Sequence, residues 1–358
     1  MTNFSTTLLR NHMEQAYDEG DLKRAILYAK HLSKLDPIYE NLLDYALISK
    51  ESGKYEQAIN ALEQAIHIDI TIPDAHIEKA LILYEIDETL QAYHYILSLR
   101  ATLLDDTPWA LLAVLSGELQ RLDEALFYAN KAVHQLPDAW SFHARAIVYQ
   151  LQKSYLLANE DFQMALTCDP YNPELWNSYG LFFEECMAFD RALEVYDTAI
   201  NQFELTTHFL YLNRAKIHHI LGHKEDSLYD CEQALEQIPN SGDIWFLFAT
   251  ILHEQGDFLS ALHAYNQSLR YIKKDASIHF CKAQVLEALG NIQQAKTSYQ
   301  RAVKLDKSNT EIRLAFATFL IKHNLSLQAH AIIREGIDYA DNTASLERFL
   351  QKHDNLFL

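Results

Sequence analysis

Cysteine is scarce in this chain: four residues in 358, at Cys168, Cys186, Cys231 and Cys281. They are scattered and form no C-x-x-C pair, so nothing points to a disulfide framework, and a reduced, cytoplasmic setting is expected. A secretion signal is missing as well. The first twenty residues lack its basic–apolar–small order, and Arg10, Glu14, Asp18 and Glu19 interrupt any apolar run. No stretch is long and apolar enough to span a bilayer, so no membrane insertion is expected. Strand candidates are absent, and so are Ser/Gly/Pro linkers and low-complexity tracts. The phosphate-cradling patterns G-x-x-x-x-G-K-[ST] and G-x-G-x-x-G do not occur.

Basic residues are the minority, 30 Lys and Arg against 49 Asp and Glu, for a net charge of −19. Residues 73–241 hold 10 basic and 26 acidic side chains, a net of −16, whereas residues 242–358 hold 13 and 12, a net of +1. An acidic middle disfavours phosphate backbones and anionic membranes, so no nucleic-acid partner is expected. It either favours a basic partner segment or keeps the surface soluble.

What the chain does have is a period. Small residues recur at Ala25, Ala58, Ala92, Ala125, Ala158, Ala192, Ser227, Ala261, Ala295 and Ala329, in steps of 33, 34, 33, 33, 34, 35, 34, 34 and 34. Such regularity predicts a stacked repeat array, in which each unit buries its apolar face against its neighbours. Residues Pro173 to Glu204 show one unit. Trp176, Tyr179, Gly180 and Phe183 form the stripe of one helix; Phe189, Ala192, Leu193, Tyr196 and Ala199 form that of a second. Met187 to Asp190 leaves room only for a tight turn. Pro173 suits a first helical turn. Gly180 and Ala192 mark the close approach, because interhelical distance follows the side chains at the contact. Ala80, Ala113, Ala146, Ala215, Ala249, Ala283 and Ala317 share the slot of Gly180. Gly20, Gly53, Gly222, Gly256 and Gly290 occupy the turn. Ala65, Ala132, Ala165, Ala199, Ala234, Ser268 and Ala302 form a third small slot, and Pro37, Pro137, Pro170 and Pro239 end the second helix.

This order of large, small, turn glycine, small, aromatic, small and proline resembles the tetratricopeptide repeat (TPR) family. Trp109, Trp176 and Trp245 take the large slot; Phe162, Tyr196, Tyr265 and Tyr299 take the aromatic one. The resemblance covers about residues 6–343. It implies an all-α, right-handed superhelical solenoid of antiparallel helix pairs over 1–343, about ten repeats. Residues 344–358 are expected to form a C-terminal capping helix and tail, with Leu346, Phe349 and Leu350 on one side of the helix. The tail Asn355 to Leu358 reads as chain-end packing or fraying, with docking as the other reading. Departures are local. The turn Ile86 to Glu88 lacks glycine, the segment around His76 lacks an aromatic, Asn324 sits at the last turn, Gly336 fills its closing slot, and the connection after Gln202 is one residue longer.

Chemistry finds little support. His253-Glu254 starts a zinc-protease pattern, but Asp257 stands where its second histidine belongs. His219 and His223 are four apart and could share a helical face beside His218, yet Gly222 lies between them and no nearby cysteine completes a site. They read as solvated histidines around a turn. Glu184–Glu185, Asp105–Asp106 and Glu160–Asp161 are adjacent pairs, which diverge on a helix and cannot share acid–base work. Cys231 replaces the aromatic of a second helix and reads as a small core residue. No enzyme activity, cofactor or metal is expected.

The stripe one residue beyond the small slots turns towards the concave side, where TPR arrays commonly receive a peptide or extended segment. It carries Trp140, His143 and Ile147; Asn177, Leu181 and Glu184; Phe209, Leu212, Lys216 and His219; Phe246, Thr250 and His253; Phe280, Gln284 and Glu287. Its centre is apolar and aromatic, its edges acidic and histidine-bearing. Two special TPR roles fail on residues. The carboxylate clamp for chaperone C-termini needs Lys-x-x-x-Asn and Lys-x-x-x-Arg on first helices, and only Asn213 occupies a clamp-like slot. The asparagine ladder of the sugar-transferring enzyme is replaced by Ser178, Asn213, Leu247 and Cys281. The expected function is a non-catalytic scaffold or adaptor that binds a basic or apolar protein segment. The alternative is a client-holding or secretion-type chaperone. Self-association through Leu346, Phe349 and Phe357 is a third option.

Overall fold

A computed structural model describes residues 2–103, 108–339 and 342–353. Asp105, Asp106 and the tail Asn355 to Leu358, with Phe357, lie outside the described residues. The chain divides into two compact units, Met1–Leu175 and Trp176–Leu358. All elements among the described residues are helices. The first unit holds α1 (Thr2–Asp18), α2 (Leu22–Leu35), α3 (Tyr39–Glu51), α4 (Tyr55–Ile68), α5 (Pro73–Glu85), α6 (Thr89–Ser98), α7 (Arg100–Leu103), α8 (Trp109–Glu118), α9 (Leu122–Gln135), α10 (Ala139–Leu151) and α11 (Tyr155–Cys168). The division falls within α12 (Pro173–Glu185). The second unit continues with α13 (Phe189–Asp197), α14 (His208–Ile220), α15 (Lys224–Gln237), α16 (Gly242–Gln255), α17 (Phe258–Tyr271), α18 (Ala276–Ala288), α19 (Ile292–Leu305), α20 (Thr310–Lys322), α21 (Ser326–Ile337) and α22 (Ala344–Lys352). No helix among the described residues is long and apolar enough to cross a membrane.

Consecutive helices pair antiparallel, and the alanine period is the seam. All ten period residues are fully buried. Ser227 shows how close the seam is. Its hydroxyl donates to the carbonyl of Ala215, the small residue on the facing helix, at 2.7 Å. Ser268 does the same in the third small slot, donating to Gly242 O at 2.8 Å. A serine fits such a slot only if its oxygen finds a partner, since an unpaired buried hydroxyl costs about 1–3 kcal/mol.

The turns follow one rule. Gly20, Gly53, Gly222, Gly256 and Gly290 have φ between +68° and +82°. Where glycine is missing, Asp87, Gln120, Lys153, Met187 and Asn324 take the same left-handed conformation, at φ of 56–64°. The hydrogen bonds that close the turn are retained, for example Met187 N–H to Glu184 O at 2.9 Å and Ala188 N–H to Phe183 O at 2.9 Å.

The other departures have physical reasons too. His76 fills the large slot itself: it is buried, with Nδ1 2.6 Å from the Tyr95 hydroxyl and Nε2 2.9 Å from Ile70 O. The extra residue expected in the connection after Gln202 is taken up before it, in a π-helical turn at Thr198–Gln202, whose wider turn holds more residues than an α-helical one. In the last pair Arg313 takes the large slot and is fully buried, donating to Lys307 O and Ile332 O, both at 2.9 Å. A Cβ on Gly336 would lie 2.6 Å from Arg313 Cδ, so the closing slot is glycine where seven other repeats have alanine or serine. Finally, α22 packs on α20 and α21 through buried Leu346, with half-buried Phe349 and Leu350 beside it. Leu346 is therefore not available as a self-association contact.

Candidate partner-binding surface

In the first unit α10 presents Trp140, His143 and Ile147 on one side. Trp140 is 46% exposed, and His143 and Ile147 are half-buried. Trp140 lines a cavity of about 450 Å³ with Ile77, Leu81, Trp109, Ala110 and Leu136, a predominantly apolar wall. The His143 ring lies 5.9 Å from Trp140 and 6.0 Å from Phe162, and neither of its ring nitrogens has a hydrogen-bond partner among the described residues. Burial pushes its pKa down to about 4, so the ring is neutral at pH 7. Sequence reasoning started the stripe at Trp140 and missed its earlier members. Leu43 and Leu47 on α3, and Ile77 and Leu81 on α5, occupy the same register and are half-buried. Their signal is the spacing from the small residues Ala46 and Ala80.

In the second unit the stripe runs along four first helices. Leu212, Phe246, Phe280 and Leu314 stand 34 residues apart, and each is half-buried. Leu314 is a further member that sequence reasoning missed. Phe246 packs on Tyr265 with ring centres 6.0 Å apart, and Phe280 on Tyr299 at 6.1 Å. One face of each ring serves the core while part of it remains open. Phe209 lies at the start of α14 and is half-buried; Leu181 on α12 is 42% exposed.

The polar members are mostly committed to the protein itself. Glu184 accepts from the Tyr196 hydroxyl at 2.6 Å, and Glu287 accepts from Tyr299 at 3.2 Å and from Lys322 at 2.7 Å. Asn213 donates to Asn177 Oδ1 at 2.6 Å and accepts from exposed Lys216 at 3.1 Å. Thr250 donates to Phe246 O at 2.9 Å. His253 packs against Phe258 and Tyr265, and burial lowers its pKa. Gln284 is half-buried. The expected acidic edge thus consists of carboxylates already held by tyrosines.

Polar pairs link neighbouring repeats at a recurring position. Tyr17 donates to Glu51 at 2.7 Å, Lys50 meets Glu85 at 3.3 Å, His219 meets Glu254 at 3.1 Å, and Lys322 meets Glu287. Each joins the ends of first helices 34 or 35 residues apart. His219 therefore faces the next repeat. The histidines that meet at the turn are His218 and His223, which corrects the expected pairing of His219 with His223. His218 is buried against Asp230 rather than solvated, because its helix position turns it to the seam.

Two buried ion pairs were also missed. Arg214 donates twice to Asp230, at 2.7 and 2.8 Å, and Arg145 twice to Asp161, at 2.6 and 2.8 Å. Both are Arg and Asp sixteen residues apart, at the same repeat positions. Asp161 and Glu160 point apart, as adjacent helical residues must: Asp161 is buried and Glu160 exposed. Cys231 is fully buried, which pushes its thiol up to about 12.

Comparison with known proteins agrees with this architecture. Models of the tetratricopeptide repeat match residues 39–69 and 276–309. The C-terminal part of a TPR repeat-containing protein from Cytophaga hutchinsonii is similar in structure, with a TM-score of 0.52 at 15% identity, over 65% of this chain and 96% of that one. Human IFIT1, in a dimer with m7Gppp-AAAA, gives 0.51 at 13% identity, over 89% and 81%. Pseudomonas aeruginosa pilF gives 0.50 at 17%, over 60% and 96%. Helix pairs in one phase from α1 to α21, two of them matched by the family's models, support a tetratricopeptide repeat protein.

Proposed function

We propose that the chain is a non-catalytic scaffold or adaptor that holds an extended, partly apolar protein segment along the stripe of its first helices, in a cytoplasmic setting. The TPR architecture itself supports a protein–protein interaction scaffold. The observation that carries the finer reading is the ladder Leu212, Phe246, Phe280 and Leu314, half-buried at a 34-residue spacing. A large apolar side chain left partly open at every step, a ring at Phe246 and Phe280, forms a repeated pocket wall, and aromatic anchors of this kind dominate peptide-type interfaces. The polar groups beside the ladder are already hydrogen-bonded, so affinity comes from apolar side chains and rim charges tune rate. The net −16 of residues 73–241 favours a basic flank on the partner and opposes a phosphate ligand such as the one in the human IFIT1 structure.

The test is the triple substitution Phe209→Ala, Phe246→Ala and Phe280→Ala. Proteins captured from the native host by wild type and variant are compared by mass spectrometry, with helicity checked by circular dichroism. Loss of the main captured partner from a folded variant supports the proposal. Retention of every captured partner by a folded variant overturns it.

A further inference from the structure

Every repeat closes its turn with the same hydrogen bond. The N–H after the left-handed residue donates to the carbonyl five residues earlier: 2.8 Å for Lys54 to Ser49, 3.0 Å for Asp257 to Leu252, and 2.8 Å for His223 to His218. This bond brings the side chains of those two positions together in all ten turns. In nine of them the earlier residue is not a metal ligand, as with Ser49 or Leu252. Only in the α14–α15 turn are both residues imidazoles.

The two rings face each other with Nδ1 to Nδ1 at 3.4 Å. Two nitrogens each about 2.0–2.1 Å from a tetrahedral ion stand about 3.4 Å apart. The donor pair is therefore already at ligand separation. A carboxylate oxygen of Asp226, in the first turn of α15, lies within 4.8 Å of both nitrogens. Behind His218, its Nε2 faces Asp230 at 3.9 Å, and Asp230 is fixed by Arg214. At that separation Asp230 acts on the imidazole through its charge and not through a hydrogen bond. His223 and Asp226 are exposed, so an ion can enter and water can complete its shell. The neighbouring cation does not occupy the place, since Lys224 reaches Glu254 at 3.4 Å.

We propose that His218, His223 and Asp226 bind one divalent first-row transition ion of the zinc class, pinning the end of α14 to the start of α15. Two imidazoles and one carboxylate suit such ions rather than calcium or magnesium, which take oxygen donors.

The experiment titrates the full-length, tag-free protein with Zn²⁺ by calorimetry, and with Co²⁺ for its ligand-field absorption. Three variants are compared: His223→Ala, Asp226→Asn, and His219→Ala as the neighbouring control. The expected result is one equivalent of Zn²⁺ bound by wild type and by His219→Ala. Binding should weaken about tenfold or more in His223→Ala, and less in Asp226→Asn. Both exposed positions tolerate substitution, and circular dichroism confirms the fold. An equivalent of unchanged affinity in His223→Ala belongs to other histidines and overturns the proposal. So does the absence of Zn²⁺ binding or of a Co²⁺ ligand-field band in folded wild type.

Discussion

At the residue scale the turns carry the sharpest information. Of the ten left-handed residues that join the two helices of a pair, five are glycine and five are Asp87, Gln120, Lys153, Met187 and Asn324. For a residue with a Cβ that conformation costs about 1–2 kcal/mol, partly offset by the entropy that glycine loses on folding. Lys153→Gly and Gln120→Gly should each raise stability by about 0.5–1 kcal/mol, and Gly256→Ala should lower it by about 1 kcal/mol. Chemical denaturation followed by circular dichroism measures all three. Open space around the Cβ position at Gly256 means that the predicted loss is conformational and not steric. The turn was legible in the sequence as a place but not as a conformation. Met187 gives no hint of a positive φ; only its phase with the glycines does. Likewise, His76 and Arg313 looked like gaps in an aromatic pattern, because sequence cannot show that they find hydrogen-bond partners in the core at Tyr95 and Ile332.

At the element scale each helix pair is held by its small-residue seam, and two pairs are also held by ions. Asp230 is almost fully buried and Arg214 nearly so, whereas Arg145 opposite Asp161 is 21% exposed. Breaking a buried pair by removing one partner costs about 3–5 kcal/mol, since the other charge is left uncompensated. Asp230→Asn should therefore cost about 3 kcal/mol, the low end of that range, because Arg214 keeps its ion pair with half-exposed Asp197 at 2.8 Å; Asp161→Asn should cost less, because Arg145 is more exposed and keeps Asn130. Replacing Arg214 and Asp230 together by Met and Leu should restore most of the loss; a double variant as unstable as Asp230→Asn would contradict this account. The seam was readable because a small residue has one job at a close approach. The ion pairs were not. One Arg and one Asp sixteen apart carry no periodic signal until the helix register is fixed in space. The candidate surface lies between these cases. Its register follows from the seam, and Phe246 and Phe280 stand at that register, half-buried. The bonds that tie up Glu184, Glu287 and Asn177 depend on rotamers and partners that spacing does not reveal.

At the scale of the whole molecule, a period unbroken through ten pairs predicts nearest-neighbour stability, with no single global core. The C-terminal end tests this, because α22 covers one pair only. Leu346 is fully buried among Ile333, Phe316 and Leu320 of that cluster. Leu346→Asp removes a core leucine and places a carboxylate there, a loss of about 2–5 kcal/mol that would free α22 from α20 and α21. In a one-dimensional array this loss is felt mainly by the repeat beside it. Amide hydrogen exchange should then accelerate about tenfold or more across Thr310–Ile337, which loses its cover. Exchange across Tyr39–Leu151, many repeats away, should stay at the wild-type rate. Uniform acceleration along the chain would show instead that the helix pairs unfold as one cooperative body, and the alanine period would then describe how the chain is built but not how its stability is distributed.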